Sequence, residues 1–251
     1  MHCDVIIPAL NEQPNIDALF AALAPQRDRL RCVIVADNGS TDGTAEAAQA
    51  CGAVVVREPK RGYGAACLKA IEWIEHNITP PDVVVFLDAD LSDDPDALAS
   101  LLEPITNGRA ELVIGSRTKH AEPGALSAVQ RFGNALACTL MRQLTGRSYS
   151  DLGPFRAITW SALQHINMRD QTWGWTVEMQ MKAAMLGVAF EEVAVPYRPR
   201  RSGRSKVSGT ILGIVRAGGK ILYTIAKLHS QRRRLPQHRN VHARPLRDIT
   251  L

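Results

Sequence analysis

The sequence predicts an α/β fold, a mostly parallel central sheet flanked by helices, and three observations predict it. Short apolar runs alternate with helix-patterned stretches through the first half of the chain. Those runs are near-continuous Val and Ile, as strands covered on both faces require, instead of the alternation of a half-exposed sheet. A length of 251 residues at 45% hydrophobic content suffices for one large core.

Taken in order, DVIIPAL is a strand followed by the helix NIDALFAALA, and CVIVAD is a strand followed by TAEAAQACG, whose first turn is preceded by Thr41 and Asp42. AVVVRE leads to GAACLKAIEWIEH, VVVFLDAD to DPDALASLLEPI, and ELVIGSR closes the βα repeat. Asp93 or Asp94 ahead of Pro95 reads as an N-cap with Pro at N1, and we assign Asp93, Asp94 and Asp96 to starting that helix. After Arg117 the rhythm changes to a long helix, ALSAVQRFGNALACTLMRQL, then the strand DLGPFRAIT, the helix VEMQMKAAMLG and the strand AFEEVAVPYR. These continue one domain over 1–209, which ends in the flexible basic loop 199–209, PRRSGRSKVSG. An amphipathic helix spans 210–229. At ~100° per residue, Arg216, Lys220 and Lys227 fall on one face, with Ile214, Ile221, Ile225 and Leu228 opposite. The remaining 230–251 is a basic tail expected to be disordered.

Charge is divided unevenly along the chain. From Arg198 onward there are 14 Lys and Arg against one acid, Asp248, leaving 16 against 24 before it, so a body of net −8 carries a tail of +13. That split points to an anionic partner at the C-terminal end: phosphate, membrane surface or nucleic acid. Nucleic acid is disfavoured, because the basic segment lacks interleaved aromatics and a reading helix. No apolar stretch reaches the roughly 20 residues that cross a bilayer. MHCDVIIPAL enters a strand without signal-peptide features, so a cytoplasmic protein is expected, its basic end suiting peripheral contact with an anionic membrane face or a membrane protein partner. Cys3, Cys32, Cys51, Cys67 and Cys138 form no CxxC pair and read as reduced core thiols.

Ligands of open α/β sheets bind beyond the carboxyl ends of the strands, so the polar residues at each strand exit are the candidate site. The first exit carries Pro8 and Glu12, the second Asp37, the third Arg61 and Gly62, and the fourth Asp88 and Asp90. In LDAD the two carboxylates at i and i+2 repel unless a cation joins them, which suits a hard divalent metal and its bound phosphates. Lys60, Arg61 and the glycines ahead of a helix suit an anion. Glu12 has the simpler reading of favouring the helix dipole, and Asp37 that of closing an Asx turn.

In order and spacing, IPALNE, VADNGSTDGT, RGYGAACLKAI, LDADLSDDP, VIGSR, QRFGNALA, LGPFRA and RSGRSKVSGT resemble family 2 glycosyltransferases. The branch they are similar to is the polyprenyl-phosphate (dolichyl-phosphate) mannosyl- and glucosyltransferases, over about residues 4–228. The resemblance implies a GT-A fold with a Rossmann-like sheet and an inverting hexosyltransferase of cell-envelope glycan assembly. It also implies a nucleotide-sugar donor (UDP-glucose or GDP-mannose type) and a polyprenyl-phosphate acceptor. By the same resemblance Asp37 contacts the base, Pro8 and Glu12 line the nucleoside pocket, and Asp88 and Asp90 hold Mg²⁺ or Mn²⁺. Arg117 and Arg131 meet donor or acceptor phosphates, and Arg204 and Lys206 close over the site. Two positions depart from the pattern: Asn38 stands where a second Asp is frequent, and Ser92 where the mannosyl branch commonly has Gln. A phosphate acceptor needs no general base; a hydroxyl acceptor does, with Asp151 or Glu178 the first carboxylates to consider. Two other readings stay open on the residues alone. Asp88 to Ser92 matches the DxDxS of a phosphatase, with Asp88 as nucleophile, and a non-catalytic nucleotide-sugar binder would keep the same acids.

Overall fold

The computed structural model describes residues 1–203 and 211–231. Among the described residues seven strands form one sheet: β1 (Cys3–Ala9), β2 (Leu30–Asp37), β3 (Val54–Arg57), β4 (Val83–Phe86), β5 (Leu112–Ser116), β6 (Arg156–Thr159) and β7 (Phe190–Ala194). Their order is β3-β2-β1-β4-β6-β5-β7, parallel except for β6, which runs antiparallel to both β4 and β5. The predicted sheet is therefore present, with one reversed strand that apolar patterning does not distinguish from the rest.

The helices are α1 (Gln13–Leu23), α2 (Thr44–Ala50), α3 (Tyr63–Asn77), α4 (Leu98–Thr106), α5 (Ala128–Thr145), α6 (Trp160–Ile166), α7 (Trp175–Leu186) and α8 (Ile211–Gln231). Strand alternation divides the core into two layers. Val5, Ile7, Val83 and Val85 pack with Leu19 of α1 and Leu98 and Leu101 of α4. Ile6, Val84 and Phe86 pack on the other face with Ile74 of α3, Met141 of α5 and Trp175 of α7. Sequence reasoning did not anticipate α6, because seven residues following directly on a strand carry too little periodicity.

Two local differences bear on function. Asp94, not Asp93, supplies the cap after β4: its side chain accepts from the Asp96 amide at the start of a short 3-10 turn. In α8 the apolar residues Ile221, Ile225 and Leu228 pack into the protein core, against α7 and α5, instead of forming a free face. Residues 204–210 and 232–251, including most of the basic loop and tail, lie outside the described residues.

Candidate active site

Register brings the strand exits together. Ala9 pairs with Asp37, Asp37 with Arg57, and Ile6 with Phe86, so the chain leaves β1, β2 and β4 along one edge. Asp37, 4% exposed, ends β2 and accepts from the Ser40 amide at 2.9 Å. Asn38 is a tether between exits: its amide group donates to the carbonyls of Glu58 and Lys60, and its Oδ1 accepts from the Gly62 amide at 2.7 Å. The Gly62 amide is thus committed to protein. A Cβ on Gly62 would lie 2.0 Å from the Gln171 carbonyl oxygen, and one on Gly64 2.0 Å from that of Asp170. These glycines admit the 170–171 backbone against α3, a packing demand that resembles an anion loop in sequence. The Arg61 side chain is exposed beside Gly39, and Pro8 sits within β1.

The acidic centre follows β4. Asp90 turns the chain through Leu91, at φ 60, and accepts from the Ser92 amide at 2.9 Å. A bulky residue in the left-handed region is strained backbone, held by its surroundings. Those surroundings are the segment 197–201: Arg198 N–H donates to the Ser92 carbonyl, and Arg201 N–H to that of Asp90. From this segment Arg200 reaches Asp90 Oδ2 at 2.9 Å and Glu12 Oε1 at 2.8 Å, its own side chain 20% exposed. Glu12, besides, accepts from Asn15 at 2.7 Å. A guanidinium therefore stands where two carboxylates from distant strand exits converge.

Asp88 Oδ1 is buried with no hydrogen-bond partner among the described residues. Burial, then the neighbouring charge of Asp90, pushes the Asp88 carboxyl up to about 7; the Tyr63 hydroxyl, Arg117 and Arg200 pull the other way. Asp93, 1% exposed, also has both oxygens unpartnered, and burial followed by the charge of Asp88 holds it well above the usual carboxylate range. Sequence reasoning missed Asp93 because it spent two aspartates on one cap. An orphaned carboxylate oxygen beside a carboxylate already held by a cation fits a hard divalent ion. Among the described residues no third acid, His or Cys completes a protein cage, so the remaining positions would fall to water and ligand oxygens, as Mg²⁺ permits.

Arg117, at the end of β5, is fixed by Asp151: Nε to Oδ2 at 2.8 Å, Nη2 to Oδ1 at 2.7 Å, and the Arg117 amide to Oδ2 at 2.7 Å. It also stacks on Tyr197, 5.0 Å from the ring centroid. Burial works against its charge, but the Asp151 pair outweighs that and keeps it cationic. Asp151 is thereby occupied. Glu178 is occupied too, accepting from the Arg169 and Asp170 amides and pairing with Lys182. Neither carboxylate is placed as a free base.

Beside Arg117 opens a cavity of about 730 Å³ lined mainly by apolar side chains, among them Leu126, Phe132, Leu136, Trp175 and Ile221. Arg131 is among its lining residues, and Tyr63, whose buried hydroxyl faces Asp88 closely enough to act on its charge but not in full hydrogen-bond geometry, is in its wall. Since Tyr63 also acts on Asp88, the cavity and the acidic centre share a wall. Asn134 bridges α5 to the Asp151 loop, donating to the Ser150 carbonyl and accepting from Leu152 N–H. Arg204 and Lys206 lie outside the described residues.

The family model described as Glycosyl transferase family 2 matches residues 4–165. An uncharacterized glycosyltransferase of Mycobacterium tuberculosis is 35% identical over 211 residues, covering 84% of this chain and 92% of that protein. An undecaprenyl-phosphate mannosyltransferase of Micrococcus luteus is 32% identical, covering 83% and 88%. A dolichyl-phosphate hexose transferase of Haloferax volcanii is 31% identical, covering 81% and 85%. Among solved structures, glucosyl-3-phosphoglycerate synthase of Mycobacterium tuberculosis, in complex with Mn²⁺, UDP and phosphoglyceric acid, superposes with TM-score 0.73 at 23% identity, covering 91% of this chain and 78% of that one. The architecture is that of the GT-A fold.

Proposed function

The chain belongs to glycosyl transferase family 2, and on that premise we propose that it moves a hexose from a nucleoside-diphosphate sugar to a polyprenyl-phosphate acceptor, with inversion. The observation that carries the acceptor class is the apolar cavity with two guanidinium groups in its lining, Arg117 on the side it shares with the acidic centre and Arg131 elsewhere along it. An isoprenoid chain needs the first feature and its phosphate the second. Relatives named for polyprenyl-phosphate substrates point the same way.

On this reading Asp37 and Glu12, with Pro8, bound the nucleoside pocket, and Arg61 lies over its entrance. Asp88 and Asp90 would hold Mg²⁺ or Mn²⁺, which when bound neutralises charge on the departing diphosphate. Arg117, preset by Asp151 and Tyr197, and Arg131 orient the acceptor phosphate. One acceptor oxygen forms the bond to the anomeric carbon while the bond to the donor diphosphate breaks, and the nucleoside diphosphate leaves. That oxygen is already anionic at neutral pH, so no proton has to be removed. The occupied states of Asp151 and Glu178 agree with a reaction that needs no base. The reaction belongs at the cytoplasmic membrane face, with UDP-glucose or GDP-mannose type donors.

The test is to incubate the purified protein and Mg²⁺ or Mn²⁺ with a panel of nucleotide sugars, with and without short-chain polyprenyl phosphates, following release of nucleoside diphosphate. Release dependent on the lipid phosphate, and lost in Asp90→Ala with unchanged circular dichroism, is the expected result. Lipid-independent transfer to a soluble hydroxyl acceptor would remove the acceptor class.

A further inference from the structure

Tyr63 opens α3 between two glycines that leave its main chain no freedom. Gly62, at φ 147, and Gly64 bring their backbone against the carbonyls of Gln171 and Asp170, the Ala65 amide donates to the Gln171 carbonyl at 2.9 Å, and the Gly62 amide is held by Asn38. The backbone is therefore fixed on both sides of Tyr63. Its side chain stands in the wall of the 730 Å³ cavity, which Thr172, Trp173 and Trp175 also line.

Ring and hydroxyl have different surroundings. The ring belongs to an apolar lining, where a Phe would serve as well. The hydroxyl is enclosed and faces Asp88, close enough to act on its charge but short of full hydrogen-bond geometry, and Asp88 has an enclosed oxygen of its own, Oδ1, without a partner among the described residues. An enclosed hydroxyl out of geometry lowers the stability of a fold, and Phe would fill the same space at no such cost. Packing therefore does not account for it. The charged neighbours do. A carboxylate accepts and a phenol at neutral pH donates, whereas the cations near Asp88 are engaged elsewhere, Arg117 by Asp151, and Arg200 by Asp90 and Glu12. Arg156 pairs with Phe86, two residues before Asp88, and spends its donors on the carbonyls of Leu152, Gly153 and Thr176. Among these neighbours the Tyr63 hydroxyl is the donor left for Asp88.

We propose that Tyr63 is a positioning residue: its hydroxyl closes onto the Asp88 carboxylate when a divalent ion takes the other oxygen, and its ring separates that ion from the acceptor cavity. A carboxylate that gives one oxygen to a cation leaves the other to be satisfied, and a donor fixed by the protein decides which oxygen that is. The clamped glycines on either side supply the fixing. The assignment of the hydroxyl rests on Asp88 and Asp90 holding the ion, as in the function proposed above, and not on the identity of the acceptor.

Tyr63→Phe deletes the hydroxyl alone. In the metal-free protein its Tm by differential scanning fluorimetry should equal or exceed that of the wild type, because an enclosed donor out of geometry is removed. Mn²⁺ affinity, read by electron paramagnetic resonance without nucleotide, should fall by about fivefold or more, as for the loss of one hydrogen bond to a charged group. KM for a short-chain polyprenyl phosphate should stay within about twofold of the wild type, since the ring remains, whereas Tyr63→Leu, which takes the ring as well, should raise it by about fivefold or more. A hydroxyl with a structural role alone would do the reverse, lowering Tm and sparing Mn²⁺ binding. Unchanged Mn²⁺ affinity in Tyr63→Phe would overturn the proposal, as would a Tm lowered by more than about 3 °C or a wild type that binds no Mn²⁺. Tm and Mn²⁺ binding are read with no acceptor present, so a wild type that binds Mn²⁺ but transfers nothing to polyprenyl phosphate would remove the acceptor reading and leave the hydroxyl to be decided by these two measurements.

Discussion

Replacing Arg200 with alanine should tighten the binding of Mn²⁺ to the ligand-free protein. Arg200 bridges Asp90 and Glu12 at 2.9 and 2.8 Å, so a divalent ion that uses Asp90 must first displace a cation already there. At 20% exposure the bridge is neither a surface pair, worth at most about 1 kcal/mol, nor a fully buried one, worth about 3–5 kcal/mol to break. A charge-assisted hydrogen bond of about 1.5–3 kcal/mol is the closer guide, and Arg200 keeps some of that by turning to water once displaced. We therefore expect a net gain of about 1–2 kcal/mol, roughly five- to thirtyfold in affinity. The assay is isothermal titration or Mn²⁺ electron paramagnetic resonance in the absence of nucleotide. Arg200→Lys should fall between the two, because its ammonium cannot fork to both carboxylates. Unchanged or weaker Mn²⁺ binding by Arg200→Ala would refute the exchange, and with it the placing of the ion at Asp90.

Three further outcomes follow from the geometry. Gly62→Ala should cost about 2–3 kcal/mol, roughly 4–12 °C in Tm by differential scanning fluorimetry, because its Cβ meets the Gln171 carbonyl. Gly52→Ala, equally at positive φ but with open space around it, should cost less than half as much. Asp170 is lowered below its usual value: burial opposes this, but hydrogen bonds from Lys220 and Thr172 prevail. Its stabilising contribution is present above the unfolded carboxylate value of about 3.9 and lost as pH falls through the folded one, so Asp170→Asn should flatten the acid limb of a stability–pH curve. Asp93 has the opposite sign, a raised carboxyl that loses stability as pH climbs above the unfolded value. Asp93→Asn should stabilise the protein in urea by about 1–2 kcal/mol at neutral pH, the difference shrinking toward about pH 4; an Asn that destabilises at neutral pH would mean Asp93 has a partner.

The sequence by itself determined the sheet and the edge where the candidate site lies. Strands buried on both faces must be Val and Ile, so a polar residue directly after such a run marks an exit, and Asp37, Asp88 and Asp90 were legible for that reason. The family motifs were legible too, because they are local and ordered along the chain. Only the tertiary structure decided which charges meet. Arg200 reaches Glu12 and Asp90 across 188 and 110 residues, because 197–201 returns over the turn after β4. The same return buries Asp93, separating it from the cap role that its neighbour Asp94 fills. Gly62 and Gly64 read as a phosphate loop until the 170–171 backbone shows what their missing Cβ atoms make room for. In α8, periodicity located one apolar face, but only packing against α7 and α5 showed that this face is spent and that a second one remains outside. Local patterns report what a segment must bury, whereas pairing between segments depends on where the chain returns, which no window of adjacent residues contains.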